Sequence, residues 1–166
     1  MQKERFKVLL VDDEQDFVES LSERLELRNL DAQEAYSGEE ALEALAKGAP
    51  DVMVLDLRMP GIDGMEVLRR TRELHPDLRV IILTGHGTEK DEKEARKLGA
   101  FEYMQKPVDI DVLDSNLRRA WHSLKRFKQD VDDTFMAASL TECGHPDLAL
   151  EVLAETRKKD AKGHAR

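Results

Sequence analysis

The sequence predicts an α/β protein in which helices cover both faces of a parallel sheet. Short apolar segments, typical of strands buried on both faces, alternate with longer segments whose apolar residues recur every three or four positions. This alternation occurs five times within about 120 residues, a common size for one domain. Strands that alternate with helices in this way pair in parallel through right-handed crossovers, so a doubly wound sheet is expected.

The first half of the α/β region contains three predicted strands. They occupy Phe6–Val11, Asp31–Tyr36 and Val52–Leu55. The second is the most polar, as is typical of a strand at the edge of a sheet. The first helix extends to about Arg28. The second begins after Ser37, which has Glu40 three residues later, the spacing of a capping box.

The second half adds two strands, Leu78–Leu83 and Ala100–Met104. A helix containing Met65 and Leu74 precedes the first of them. The helix between the two strands, Thr88–Leu98, is highly charged and has few apolar positions. We therefore expect it to be mostly exposed and to be the element that shifts most easily.

A fifth helix begins near Asp109 and continues past the end of the α/β region. Its apolar stripe consists of Ile110, Leu113, Leu117, Ala120, Leu124, Phe127 and Val131. We predict a domain over 1–124 and an extension over 125–166. The extension should form an extended helix and a helical hairpin from Asp130 to about Arg157, broken near Gly144 and Pro146, with a basic end (157–166) that frays. Either the hairpin or a second copy of the chain could cover the stripe.

Composition excludes several classes of function. The net charge of -9 disfavours non-specific binding to a nucleic-acid backbone. The longest apolar runs are far shorter than the ~20 residues needed to span a bilayer, so no membrane insertion is expected. The charged N-terminus does not resemble a signal peptide, and the single cysteine, Cys143, fits a reducing cytoplasm.

Polar side chains follow four of the predicted strands at the point where each strand ends. Asp12 and Asp13 follow the first strand, Asp56 the third, Thr84 the fourth and Lys106 the fifth. The carboxyl ends of parallel strands meet at one edge of a sheet, where such folds bind ligands. Clustered carboxylates repel one another unless a cation lies among them, and Mg²⁺ prefers such oxygen ligands. The set suits a phosphoryl group that is transferred to Asp56.

These motifs, in this order and spacing, resemble the receiver domain of bacterial two-component response regulators over roughly residues 7–124. The motifs are Val11-Asp12-Asp13-Glu14, Leu55-Asp56-Leu57-Arg58-Met59-Pro60-Gly61, Leu83-Thr84-Gly85, Gly99-Ala100 and Lys106-Pro107. The resemblance implies a flavodoxin-like, five-stranded parallel sheet of order 2-1-3-4-5. It also implies that Asp56 accepts a phosphoryl group from a histidine kinase or a histidine phosphotransfer protein.

The resemblance assigns the metal ligands as well. Asp13 and Asp56 would bind Mg²⁺ through their side chains, Arg58 through its backbone carbonyl, and Asp12 through a water molecule. In the family that the motifs resemble, variable positions such as that of Arg58 tune the rate of dephosphorylation. The sequence therefore does not predict the lifetime of a phosphoryl group on Asp56. A dehalogenase-type phosphatase would have a second aspartate at the position of Arg58, which disfavours that enzyme class.

The resemblance further implies roles in binding and signalling. Lys106 would pair with one phosphoryl oxygen, and Thr84 would donate a hydrogen bond to another. As Thr84 moves toward the phosphoryl group, the switch residue Tyr103 would turn inward. Taken singly, Asp12 and Asp13 could cap a helix and Tyr103 could be a half-buried core residue. His86 is expected to be a solvent-facing loop residue, with a role in phosphoryl chemistry as the alternative.

The expected function is that of a single-domain regulator that signals through a downstream protein partner. It would not be a dedicated enzyme, although it would take part in its own phosphorylation and slow dephosphorylation. The extension is too short for a usual DNA-binding module, so no direct contact with nucleic acid is expected. A homodimer is possible. The alternatives are a phosphorelay intermediate, which passes the group to a histidine phosphotransfer protein, and a dimerisation or scaffold module.

Overall fold

A computed structural model describes residues 4–163, and the side chains of residues 4–158. Strands and helices alternate from the first strand to α5, and a further helix follows. The elements are β1 (Lys7–Val11), α1 (Gln15–Glu26), β2 (Asp31–Ala35), α2 (Gly38–Lys47), β3 (Val52–Leu55), α3 (Gly64–Leu74), β4 (Arg79–Thr84), α4 (Glu89–Lys97), β5 (Glu102–Gln105), α5 (Ile110–Glu142) and α6 (Pro146–Gly163). The predicted helices and strands are thus present. The ends of the five strands and of α1 and α4 differ from the prediction by at most two residues, as is usual for boundaries read from a pattern, and α6 extends about six residues beyond the predicted end of the hairpin.

The five strands form one parallel sheet in the order β2-β1-β3-β4-β5. This confirms the fold class and places the polar β2 at an edge. Val11 pairs with Leu55, so β1 and β3 end at the same level and the aspartates that follow them are neighbours. Leu55 pairs in turn with Ile82, and Thr84 pairs with Gln105, which brings the ends of β4 and β5 to the same edge.

Two hydrophobic clusters cover the two faces of the sheet. In β1, Val8 and Leu10 contribute to one cluster while Leu9 and Val11 contribute to the other, because successive strand residues point to opposite faces. The first cluster includes apolar residues of α1 and α5, and the second includes residues of α2, α3 and α4. This two-sided burial explains why the predicted strands are continuous apolar runs.

The loop after β3 is closely packed against the start of α3. Asp63 caps this helix by accepting a hydrogen bond from the backbone N–H of Glu66 at 2.9 Å. A Cβ atom added to Gly64 would overlap the backbone carbonyl of Asp56. The glycine therefore allows α3 to begin directly against the end of β3, which holds the loop that follows Asp56 in one conformation.

The capping box predicted at α2 is only partly formed. Ser37 accepts a hydrogen bond from the N–H of Glu40 at 3.1 Å, as expected of an N-cap. The Glu40 carboxylate, however, accepts from the N–H of Tyr36 at 2.8 Å, one residue before the cap. A complete capping box occurs instead at α4, between Thr88 and Asp91.

The chain divides into two compact units, Met1–Leu124 and Lys125–Arg166. In the second unit, α5 continues without a break at Asp130 and ends at Glu142, and a turn with Gly144 at φ +84° leads into α6. Thr156 on α6 donates a hydrogen bond to the Asp133 carboxylate at 2.7 Å, as the two helices form a hairpin. Of the basic end expected to fray, residues 157–163 are helical as the last part of α6, and residues 164–166 lie outside the described residues. Among the described residues, no helix is sufficiently long and apolar to cross a membrane.

Candidate functional site

The carboxyl edge of the sheet brings together the polar residues singled out in the sequence. Asp12 and Asp56 are buried there, and Thr84, the last residue of β4, is fully buried. The backbone N–H of Lys106 donates to the carbonyl of Thr84 at 3.0 Å, which fixes the end of β5 beside the end of β4. The predicted convergence of strand ends is therefore present.

Three carboxylates form an acidic cluster at this edge. One oxygen atom from each of Asp12, Asp13 and Asp56 can be chosen so that all three lie within 4.8 Å of one another. Burial and the nearby charge of Asp12 raise the pKa of Asp56 above its ordinary value. A hydrogen bond with Thr84, the charge of Lys106 and the backbone of Arg58 partly offset this effect. The Asp56 side chain is thus held in a place where its negative charge is unfavourable.

This cluster fits a small, hard divalent cation. Its donors are carboxylate oxygens, which Mg²⁺ prefers, and a cation among them would relieve the repulsion between Asp12 and Asp56. Asp13 is exposed while the other two carboxylates are buried, so the cluster has one side open to solvent. Such a site could hold a cation and leave room for water or a phosphoryl oxygen.

Lys106 lies beside Asp12 of the cluster. Its ammonium lies 2.5 Å from a carboxylate oxygen of Asp12 and 3.2 Å from one of Glu14, and it lies 4.2 Å from the centre of the Phe17 ring. Burial lowers the pKa of Lys106, but the hydrogen bond and charge of Asp12 and the charge of Asp56 outweigh it, and the net pKa is raised. Lys106 is therefore a stable cation at the site.

The contacts of Glu14 and Phe17 with Lys106 were not predictable from the sequence. Glu14 stands next to Asp13 in a recognised motif, and Phe17 fits the apolar spacing of α1. The sequence offered only the position of Glu14 beside the motif and of Phe17 on α1 as an indication of these contacts. Glu14 and Lys106 are separated by 92 residues, and only the fold brings them together.

Tyr103 already faces inward in this structure. Its side chain is buried, and its hydroxyl has no hydrogen-bond partner among the described residues. A methyl group added to Gly87 would collide with this hydroxyl and with the methyl of Thr84, so the two side chains meet over that glycine. The ring has room beside Thr84 because Gly87 carries no side chain. The expected inward turn of Tyr103 on movement of Thr84 stays a prediction.

Arg58 contacts Asp56 through its backbone and Asp91 through its side chain. Its backbone interacts with Asp56, while its guanidinium forms an ion pair with Asp91 of α4 at 2.9 Å. The same Asp91 oxygen accepts hydrogen bonds from the N–H and the hydroxyl of Thr88, both at 2.8 Å. The loop after β3 is thus joined to the first turn of α4.

The side chain of His86 lies exposed at the same edge of the sheet, as expected of a solvent-facing loop residue.

The fold and this edge define a doubly wound α/β protein with an acidic, lysine-bearing site at the carboxyl ends of its strands. The family described as "Response regulator receiver domain" matches residues 8–118. The chain belongs to this family, as the resemblance in its motifs indicated.

Individual relatives agree with this assignment. The chain is 40% identical over 114 residues to the C4-dicarboxylate transport transcriptional regulatory protein DctD of Pseudomonas aeruginosa, which covers 69% of the chain and 25% of that protein. It is 31% identical over 156 residues to the response regulator MprA of Mycobacterium ulcerans, covering 94% of the chain and 65% of that protein. The chain thus spans about a quarter of DctD and somewhat under two thirds of MprA.

Solved structures show the same fold. A response regulator receiver domain protein from Clostridium thermocellum is 34% identical, with a TM-score of 0.69, and the match covers 72% of this chain and 97% of that one. NtrX from Brucella abortus is 30% identical with a TM-score of 0.71, covering 78% of this chain and 30% of that one. Because both identities exceed 25%, these likenesses support the family as well as the fold.

Proposed function

We propose that this protein accepts a phosphoryl group on Asp56, with Mg²⁺ bound at the acidic cluster, from a histidine kinase or a histidine phosphotransfer protein. The observation that carries the proposal is the buried Asp56 carboxylate, which lies among Asp12, Asp13 and Thr84 with Lys106 nearby. The structural domain that performs this reaction is 1–124, and 125–166 is an extension. The expected cytoplasmic location is part of the same proposal.

Each residue has a distinct part in the transfer. An oxygen of Asp56 forms the new bond to phosphorus as the bond between phosphorus and the donor's imidazole nitrogen breaks. Asp13, Asp56 and the Arg58 carbonyl would hold Mg²⁺, with Asp12 acting through water. The bound cation would supply positive charge that offsets the charge of the phosphoryl oxygens. Lys106 pairs with one of these oxygens, and the Thr84 hydroxyl donates to another. The protein is not a dedicated enzyme, since it uses these groups on its own side chain.

The signal leaves through contacts with a downstream protein. The Arg58–Asp91 ion pair and the contact of Thr84 with Tyr103 connect the site to α4 and β5. A phosphoryl group adds negative charge and acceptor oxygens at Asp56, which favours a different arrangement of the polar groups around it. We therefore place the responsive region on α4 and on β5, the strand that contains Tyr103. Exposed apolar side chains among the described residues of the extension, such as Phe135 and Leu150, favour a homodimer as well.

A phosphorelay intermediate is the second candidate. The chain is 36% identical over 107 residues to the sporulation initiation phosphotransferase F of Bacillus subtilis, and the match covers 86% of that protein. If this chain has such a role, a histidine phosphotransfer protein should remove the phosphoryl group from Asp56 and retain it. If the group is instead lost to water, the chain ends its pathway.

The test is phosphorylation of the full chain by a small acyl phosphate donor in the presence of Mg²⁺. We expect the intact mass to increase by one phosphoryl group, and hydroxylamine to remove it because the product is an acyl phosphate. Asp56→Asn and chelation of Mg²⁺ should each abolish the increase. Asp16→Asn, which changes an exposed carboxylate on α1, is the matched control and should leave the increase unchanged. Labelling that persists in Asp56→Asn would contradict the proposal.

A further inference from the structure

We propose that Glu14 and Phe17 are positioning residues for Lys106: Glu14 competes with the phosphoryl group for the ammonium, and Phe17 retains the ammonium at the site. This inference rests on the proposed function and concerns residues outside the acceptor and metal-binding set. It predicts that Glu14 lowers, and Phe17 raises, the affinity of the site for a phosphoryl group.

The contacts of the ammonium lead to this inference. An ammonium has three N–H donors and no acceptor. In this structure Asp12 and Glu14 both accept from Lys106, at 2.5 Å and 3.2 Å, and the ring of Phe17 lies 4.2 Å away. A phosphoryl oxygen that pairs with Lys106 must therefore compete with Asp12 and Glu14 for the N–H groups of the ammonium.

The two carboxylates differ in how easily they can be exchanged. Asp12 is buried within the acidic cluster, whereas the Glu14 side chain is 67% exposed. An ion pair with an exposed carboxylate is weak, because water solvates the carboxylate nearly as well when the pair is broken. A phosphoryl oxygen carries more charge and forms stronger hydrogen bonds with an ammonium. Glu14 is thus the partner that gives way.

Phe17 has a different role because its ring contacts the ammonium through a cation–π interaction, whereas a carboxylate accepts a hydrogen bond from one of the N–H groups. The face of an aromatic ring attracts a cation within about 6 Å, and the attraction does not depend on which oxygen atoms accept the hydrogen bonds. Phe17 is only half buried and lies on α1, whose start follows Glu14 directly. The ring therefore keeps the ammonium at the site while its oxygen partners are exchanged.

The experiment measures the affinity of the full chain for beryllofluoride, a phosphoryl mimic, by calorimetry with Mg²⁺ present. Glu14→Gln removes the competing charge and keeps the size of the side chain, so binding should be about two- to five-fold tighter. Asp16→Asn is the control for loss of one negative charge on α1, and it should change the affinity by less. Phe17→Leu should weaken binding about two- to five-fold, and Phe17→Tyr should restore it because the ring is kept.

A double-mutant cycle shows whether Glu14 acts through Lys106. In a Lys106→Met background, Glu14→Gln should leave the remaining affinity unchanged, because the ammonium for which Glu14 competes is absent. Binding of the mimic by the native chain separates the two proposals. If the native chain does not bind the mimic, the proposed function fails and this inference with it. If the native chain binds but Glu14→Gln equals Asp16→Asn, the positioning role alone is wrong.

Discussion

At the scale of single residues, the ionised Asp56 carboxylate lowers the free energy of unfolding. The carboxylate is only 5% exposed and lies near the charge of Asp12. Burial of a charge is unfavourable unless the charge is paired, and Lys106 makes its short contact with Asp12. Side chains that oppose folding in this way are expected at functional sites.

Asp56→Asn should therefore stabilise the protein at neutral pH in the absence of Mg²⁺. The pKa of Asp56 is raised in the folded state, so this group favours folding below the ordinary carboxyl pKa and ceases to do so as the pH rises through the raised pKa. At pH 7 the asparagine variant should gain of the order of 1 kcal/mol, a rise in Tm of about 3–6 °C by calorimetry. The gain should decline as the pH falls toward the ordinary carboxyl pKa.

Asp16→Asn provides the comparison, because this exposed carboxylate should show no such gain. Saturating Mg²⁺ should raise the Tm of the native chain more than that of Asp56→Asn, because the cation binds the ionised carboxylates. A variant with a Tm equal to or below that of the native chain at pH 7 without Mg²⁺ would show that the Asp56 carboxylate is not destabilising.

At the scale of elements, α4 is a helix with little apolar support. Ala95 is its only buried residue among those described. Polar contacts supply the rest: the Thr88–Asp91 capping box, the Arg58–Asp91 ion pair, and the pairs of Arg96 with Glu92 and Glu102. Such contacts are individually weak, so the free energy of local opening of α4 should be low.

Arg58→Ala should loosen the first turn of α4. The substitution removes the ion pair with Asp91 while leaving the Thr88 capping box, so amide hydrogen exchange over Glu89–Lys97 should become about two- to five-fold faster. Arg69→Ala is the matched control, since Arg69 forms exposed ion pairs within α3. If exchange in α4 is the same in both variants, the ion pair does not couple the loop after Asp56 to α4.

The strands and the strand-end residues of the site were predictable because each depends on local sequence. Val52–Leu55 is an apolar run followed by a carboxylate, and parallel pairing then determines which strand ends meet. The contacts of Arg58 with Asp91 and of Lys106 with Glu14 were not predictable, since each joins residues far apart in sequence through long, flexible side chains. The inward position of Tyr103 depends on space at Gly87, which no local pattern reveals.

At the scale of the whole molecule, the two units differ in the depth of their cores. Met1–Leu124 contains both clusters that cover the sheet. In the second unit, the buried apolar side chains among those described are the small Ala137 and Ala149. Larger apolar side chains such as Val131 and Phe135 are 50% and 78% exposed there. A two-helix hairpin lacks a third layer that could cover them.

We expect the full chain to form dimers through the exposed end of the apolar stripe of α5, Phe127 and Val131, together with Phe135. The measurement is molar mass by light scattering, and the expected value approaches that of two 18.9 kDa chains. The double variant Val131→Lys and Phe135→Lys should shift the mass to that of one chain, because charges replace the apolar contact and repel across it. Leu27→Lys changes a side chain of the first unit that is 85% exposed, and it should leave the mass unchanged.

Beryllofluoride then separates permanent pairing from regulated pairing. A dimer with and without the mimic would mean that the stripe holds two copies together regardless of phosphorylation, so that the signal passes through α4 and β5 of each copy. A dimer formed only with the mimic would couple Asp56 to the extension, and Arg58→Ala would show whether α4 lies on that route. A native chain that remains a monomer under both conditions, with binding of the mimic verified separately, would refute the dimer and leave the stripe to a different protein.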